Sequence, residues 1–107
     1  MVPQFGHEPV MVEEVVRLLN LSNGMVVVDA TIGTGGHALA IVKHISPDGV
    51  LIGIDRDKES LMVAKERLKT YGKRCTFVQD NFYNIDKILP LLSVGSVDAV
   101  LLDLGIS

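Results

Sequence analysis

Met25-Val26-Val27-Val28-Asp29-Ala30-Thr31-Ile32-Gly33-Thr34-Gly35-Gly36-His37 is the stretch that decides the fold. It opens as a short apolar run rich in β-branched residues, which suits a strand covered on both faces, here Met25 to Ala30. Glycines at 33, 35 and 36 then let the backbone turn sharply and come close to other atoms. Apolar Leu39, Ile41, Val42 and Ile45 follow at helical spacing, so a helix is predicted over Gly36 to Ile45. Strand, glycine loop and helix in direct succession form one unit.

Outward from that unit the pattern repeats. Ser46-Pro47-Asp48-Gly49 reads as a turn, and Val50 to Asp55 as a second buried strand. Asp57 is placed to cap a helix over Lys58 to Tyr71, whose Leu61, Ala64 and Leu68 share one face. A third strand is expected over Arg74 to Gln79, a short helix over Ile85 to Leu92 and a fourth strand over Val97 to Leu104. Before the deciding stretch, Val10 to Leu19 carries helical periodicity and Ser22-Asn23-Gly24 a turn. The core order is therefore β-α-β-α-β-α-β. Such alternation implies parallel strands joined by right-handed crossovers. The expected architecture is α/β: a partial doubly wound, Rossmann-like sheet in the order 3-2-1-4, preceded by an N-terminal helix.

A length of 107 residues allows one domain and not two. An apolar fraction of 48% with 5% aromatics fits an aliphatic α/β core and excludes a disordered chain. No apolar run approaches the roughly 20 residues that a membrane helix needs. The single cysteine, Cys75, permits no internal disulfide and suits a reducing cytoplasm, where it is expected to be buried and inert. Net charge is −3, and the densest cations are Lys65, Arg67, Lys69, Lys73 and Arg74. Grip on nucleic-acid phosphates, if the protein has it, is expected mostly outside this chain. Val97 to Leu102 is too apolar for a comfortable edge strand, so the chain reads as part of a longer protein.

Each expected strand ends in or beside an aspartate: Asp29, Asp55, Asp80 and Asp103. In a parallel sheet these carboxyl groups share the edge where open α/β folds bind ligands. Singly, each has an alternative reading as a turn or helix cap, strongest for Asp80. Asp55 follows Gly35 by about 20 residues, where a carboxylate can accept both hydroxyls of an adenosine ribose. Charge then selects the nucleotide. A dinucleotide sets an anionic pyrophosphate on the helix N-terminus, and Asp29 would oppose it. S-adenosylmethionine carries no phosphate but a sulfonium and an amino group, which suits an acid-lined edge. The loop has no lysine, against a nucleoside triphosphate.

The residues Val28 to His37 resemble the first motif of the RsmH (MraW) methyltransferase family. His7-Glu8-Pro9-Val10-Met11, Gly53-Ile54-Asp55-Arg56-Asp57 and Leu102-Asp103-Leu104-Gly105-Ile106-Ser107 match in the same order. The resemblance implies a class I methyltransferase fold, of which residues 1–107 are the N-terminal cofactor-binding half; the remaining strands and an inserted helical domain are missing. It implies transfer from S-adenosylmethionine to the exocyclic 4-amino group of a cytidine in small-subunit ribosomal RNA, in the cytoplasm. The partner is then that RNA, with no membrane contact and a homodimer left open. Cofactor contacts are implied at Gly35, Gly36, His37, Asp55, Phe82 and Asp103, and Asp103 is also the candidate catalytic group. His37 is a loop residue touching the methionine end, and Phe82 either stacks on the adenine or packs in the core. No metal site is expected. Two rival readings stay open: an NAD-binding oxidoreductase fragment, and an S-adenosylmethionine-binding fragment without catalysis.

Overall fold

A computed structural model describes residues 12–102. Among these, α1 is Val12–Leu19, β1 Val26–Asp29, α2 Gly36–Ile45, β2 Val50–Asp55, α3 Lys58–Arg67, β3 Cys75–Gln79, α4 Ile85–Leu91 and β4 Ala99–Leu101. The four strands are parallel and lie in the order β3-β2-β1-β4. This is the expected α/β sheet with its N-terminal helix. Val27 of β1 faces Leu51 of β2 on one side and Ala99 of β4 on the other, while Leu51 in turn faces Cys75 of β3.

Alternation along the central strands divides the interior into two layers, because successive strand side chains point to opposite faces. Val27 and Leu51 join Ala38, Ile41, Val42 and Ile45 of α2 with Leu61, Ala64 and Leu68. Val28, Ile52 and Ile54 point the other way, against Ile88 of α4. Thus α2 and α3 cover one face and α4 the other, as right-handed crossovers demand when the strand order reverses beside β1. Each fully buried Val, Leu or Ile contributes about 1.5–3 kcal/mol of burial free energy, so these two layers carry the fold.

Two elements, α3 and β4, differ from expectation by more than a residue at an end. The third helix stops at Arg67, not Tyr71, and a 3₁₀ segment continues over Lys69–Arg74. Gly72 at φ 59°, ψ −131° breaks the helical path there. Arg74 then turns back to donate from Nε to Gly49 O and from Nη2 to Ser46 Oγ, and its guanidinium lies over the Tyr71 ring. β4 is shorter than the apolar run suggests. Its entry is held by a reciprocal pair, with Val26 N–H donating to Asp98 Oδ2 and Asp98 N–H to Val26 O, each at 2.7 Å. The expected strand residues 103–104, and residues 10–11 of the first helix, lie outside the described residues. Val100 and Leu102 of the β4 edge are 45% and 43% exposed. Cys75 is buried, and burial pushes its thiol pKa up, which leaves it a poor nucleophile.

Candidate functional site

The carboxyl ends of β1, β2 and β3 meet at one edge of the sheet, and the glycine loop is seated there by bonds to β2. Ile32 N–H donates to Ile54 O at 2.9 Å, and Gly33 N–H donates to Asp55 Oδ2 at 2.8 Å. The other oxygen of Asp55 accepts the Asp57 N–H at 2.9 Å. Asp55 therefore holds two backbone segments, the loop and the start of α3. Each carboxylate oxygen has two acceptor positions, so one remains on each for a ligand hydroxyl.

Packing under the loop explains which glycines it needs. A Cβ on Gly53 would collide with Ile32 Cδ1 and lie 3.3 Å from Ile32 Cβ and Cγ1. The bare backbone of Gly53 leaves room for Ile32 to fold over the sheet end in this rotamer. Gly35 has φ +92° and backs onto α3, its absent Cβ falling 3.4 Å from Ala64 Cα. At Gly33, with φ +57°, no other described residue comes near the place a Cβ would take. The loop thus presents main chain clear of those residues, as a site for close ligand approach requires.

Asp29 is buried, with 1% exposure, and the Thr31 N–H points at its Oδ1 from 3.4 Å. Its carboxyl lies inside the loop and not at the cleft surface. Gly36 and His37 form the first turn of α2, which places His37 on the helix and not in the loop. The His37 Nε2 is buried and has no hydrogen-bond partner among the described residues. An unpaired buried nitrogen costs about 1–3 kcal/mol, a cost that a ligand acceptor would relieve. The first N–H groups of α2 also lack intrahelical partners, and its N-cap Gly35 offers no side chain to satisfy them.

Phe82 follows β3 in a 3₁₀ turn, Phe82–Asn84. It is half-buried against the α4-side layer, with its ring centroid 4.4 Å from that of exposed Tyr83. Asp80 organises this turn: Oδ1 accepts the Asn81 N–H at 2.6 Å and the Asn84 side-chain amide at 2.8 Å. Those donors, the Asn84 amide first, hold its pKa below the usual value. The capping reading of Asp80 is the one its bonds support. Asp57 caps α3 as expected, accepting from Glu59 N–H and the Ser60 hydroxyl, and its pKa is lowered chiefly by that hydroxyl. Asp103 lies outside the described residues.

Two contacts had no signature in the sequence. Arg67, the last residue of α3, donates from Nη1 to Thr34 O at 3.2 Å. Gly53 serves Ile32, and only strand register reveals that. Elsewhere, an open groove of about 320 Å³ lies between α1 and α2, lined by Val12, Glu13, Val16, Arg17, Ala40 and His44, with none of the candidate residues in it. No group of His, Cys, Asp and Glu among the described residues is arranged to hold a metal ion. No described helix is long and apolar enough to cross a membrane.

Comparison with known proteins agrees with the fold. The chain resembles in fold a SAM-dependent O-methyltransferase from Thermotoga maritima, with TM-score 0.73 at 18% identity over 96% of this chain and 37% of that one. It also resembles TrmN from Thermus thermophilus, with TM-score 0.69 at 26% identity over 88% of this chain and 27% of that one. In sequence it is 47% identical over 103 residues to the ribosomal RNA small subunit methyltransferase H of Desulfosudis oleivorans, covering 96% of this chain and 33% of the relative. To the protein of the same name in Clostridium botulinum it is 46% identical over 104 residues, covering 97% and 33%. The chain therefore spans about a third of the length of these relatives. The sequence profile of the MraW methylase family matches residues 4–107, and the chain belongs to that family.

Proposed function

We propose that this chain is the cofactor-binding half of an S-adenosylmethionine-dependent methyltransferase that modifies small-subunit ribosomal RNA. The observation that carries the reading is the glycine loop: main chain at Gly33 that no other described residue crowds, tied to Asp55, with the His37 Nε2, unpartnered among the described residues, at the head of α2. These features fit an adenosine cofactor with a zwitterionic tail. Asp55 would take the ribose hydroxyls on its remaining acceptor positions, and Phe82 one face of the adenine. Gly35, Gly36 and His37 would receive the methionine carboxylate, since the start of a helix favours an anion. When bound, the cofactor supplies an electrophilic methyl group on its sulfonium.

The nucleophile on this reading is the exocyclic 4-amino group of a cytidine, which must leave its stack to reach the cleft. Asp103 is assigned the catalytic contact, accepting a hydrogen bond from that amine and drawing electron density to its nitrogen. The chain's main contribution to rate is positioning, which can supply up to roughly 7–11 kcal/mol of barrier lowering. The RNA grip and the remaining strands belong to the rest of the protein, beyond the third that these residues match. With a ribosomal RNA substrate, the reaction takes place in the cytoplasm.

Calorimetric titration with S-adenosylmethionine, its demethylated product and NAD tests the cofactor. Micromolar binding of the first two, without NAD, is expected. Binding of NAD alone would overturn the assignment in favour of an oxidoreductase domain.

A further inference from the structure

We propose that Arg67 is a positioning residue for the cofactor loop: from the end of α3 it pins the Thr34–Gly35 peptide and so aims the first N–H group of α2. This inference rests on the glycine loop being the cofactor site. The bond from Nη1 to Thr34 O joins residues 33 apart in sequence, so it is a tertiary tie and not a local helix contact. The same peptide is held at its other end, where Gly35 N–H donates to Ile32 O at 3.0 Å. A peptide group is planar, so fixing its carbonyl and its N–H removes rotation of the plane as a whole.

The candidate anion site begins immediately after that peptide. Gly35 O accepts the Leu39 N–H at 2.9 Å and thereby starts α2. The N–H groups of Gly36 and His37 come directly after the pinned plane, which together with the Leu39 bond sets the direction of the Gly36 N–H. Thr34 is exposed, whereas residues 32 and 33 are bonded to β2 and Gly35 is buried against Ala64 and Leu68. Among the described residues, Thr34 is thus the link of the loop whose orientation depends on a side chain of α3. Arginine suits the task because its planar fork directs the donor, where a lysine ammonium would not.

A general loss of structure would weaken every ligand alike; loss of this tie has a narrower signature. Adenosine engages only the Asp55 and Phe82 end, whereas S-adenosylmethionine also needs the α2 end. Arg67→Met is therefore expected to raise the Kd for S-adenosylmethionine roughly tenfold, the scale of one charge-assisted hydrogen bond. The Kd for adenosine should change less than about twofold. Arg67→Lys, which keeps the charge but not the directed donor, should recover part of the loss, and it serves as the measured variant if Arg67→Met fails to fold. Both ligands are titrated by calorimetry, with thermal melting of each variant alongside. Equal weakening of the two ligands, or unchanged affinity for S-adenosylmethionine in a folded variant, would overturn the role of Arg67. A parent chain that binds neither ligand would instead overturn the cofactor assignment.

Discussion

Gly53→Ala tests how the sheet builds the loop, because it adds one methyl group at the point where Ile32 crosses β2. Gly53 lies on a central strand, between Asp29 of β1 and Phe77 of β3, so the backbone cannot move away. The new Cβ would collide with Ile32 Cδ1 and crowd Ile32 Cβ and Cγ1 at 3.3 Å. Ile32 is itself buried, packed with Ile41, Ala64 and Leu68, and has little room to change rotamer. Overpacking of this kind costs about 1–3 kcal/mol. Replacing glycine also lowers the entropy of the unfolded chain, which returns about 0.4–1 kcal/mol. The net expectation is roughly 1–2 kcal/mol of destabilisation, a fall in Tm of roughly 5–12 °C for a domain of this size. The decisive measurement is a double-mutant cycle by urea denaturation. Ile32→Val removes Cδ1, so alone it should cost about 0.5–1.5 kcal/mol. In the Gly53→Ala background the same change should be neutral or stabilising, a coupling of about 1–2 kcal/mol. Additivity within about 0.5 kcal/mol would refute the claim that Gly53 exists to seat Ile32.

Three further outcomes are expected. Asp55→Ala should cost about 1–3 kcal/mol in urea denaturation, because the Gly33 and Asp57 N–H groups lose their acceptor, and calorimetry should show adenosine affinity lost with it. Asp98→Ala should destabilise by about 1–2 kcal/mol and, in amide exchange, expose the N–H of Val26 and of β4 ahead of the central strands. The third concerns acid. Asp57 and Asp80 have pKa values lowered below 3.8 in the folded chain, so their contribution is complete above that value and is lost as pH falls through the lowered ones. Asp57→Asn with Asp80→Asn should flatten the fall of stability below about pH 4, measured by urea titration at fixed salt.

The parallel sheet and its order were legible because β1 and β2 are buried on both faces. Their sequences must then be continuous apolar runs, and Val26 to Val28 and Val50 to Ile54 are such runs. The end of α3 was not legible. Leu68 and Tyr71 fall at helical spacing, yet after Arg67 the chain tightens into a 3₁₀ turn, with Tyr71 N–H donating to Leu68 O, before Gly72 ends it and Arg74 reaches across to the Ser46–Gly49 turn. Periodicity reports which residues face the core, and a 3₁₀ segment that keeps Leu68 buried satisfies it equally. Four aspartates share the strand-end position in sequence, with spacing favouring Asp55 and a capping reading Asp80. Packing separated the three described: Asp29 is buried inside the loop, Asp55 bridges two segments at the edge, and Asp80 is turned to its own turn.

By itself the sequence determined the class of the fold, the place of the glycine loop and the family, because each rests on residue type and spacing along the chain. Burial needs apolar runs, positive φ needs glycine, and a motif is by definition local. Only the tertiary structure decided how that loop is held. The tie from Arg67 to Thr34, the seat of Ile32 over Gly53 and the double duty of Asp55 depend on strand register and helix placement. Such contacts are made by residues that have ordinary surroundings in sequence. They become neighbours only once the hydrophobic layers have brought β1, β2 and α3 together.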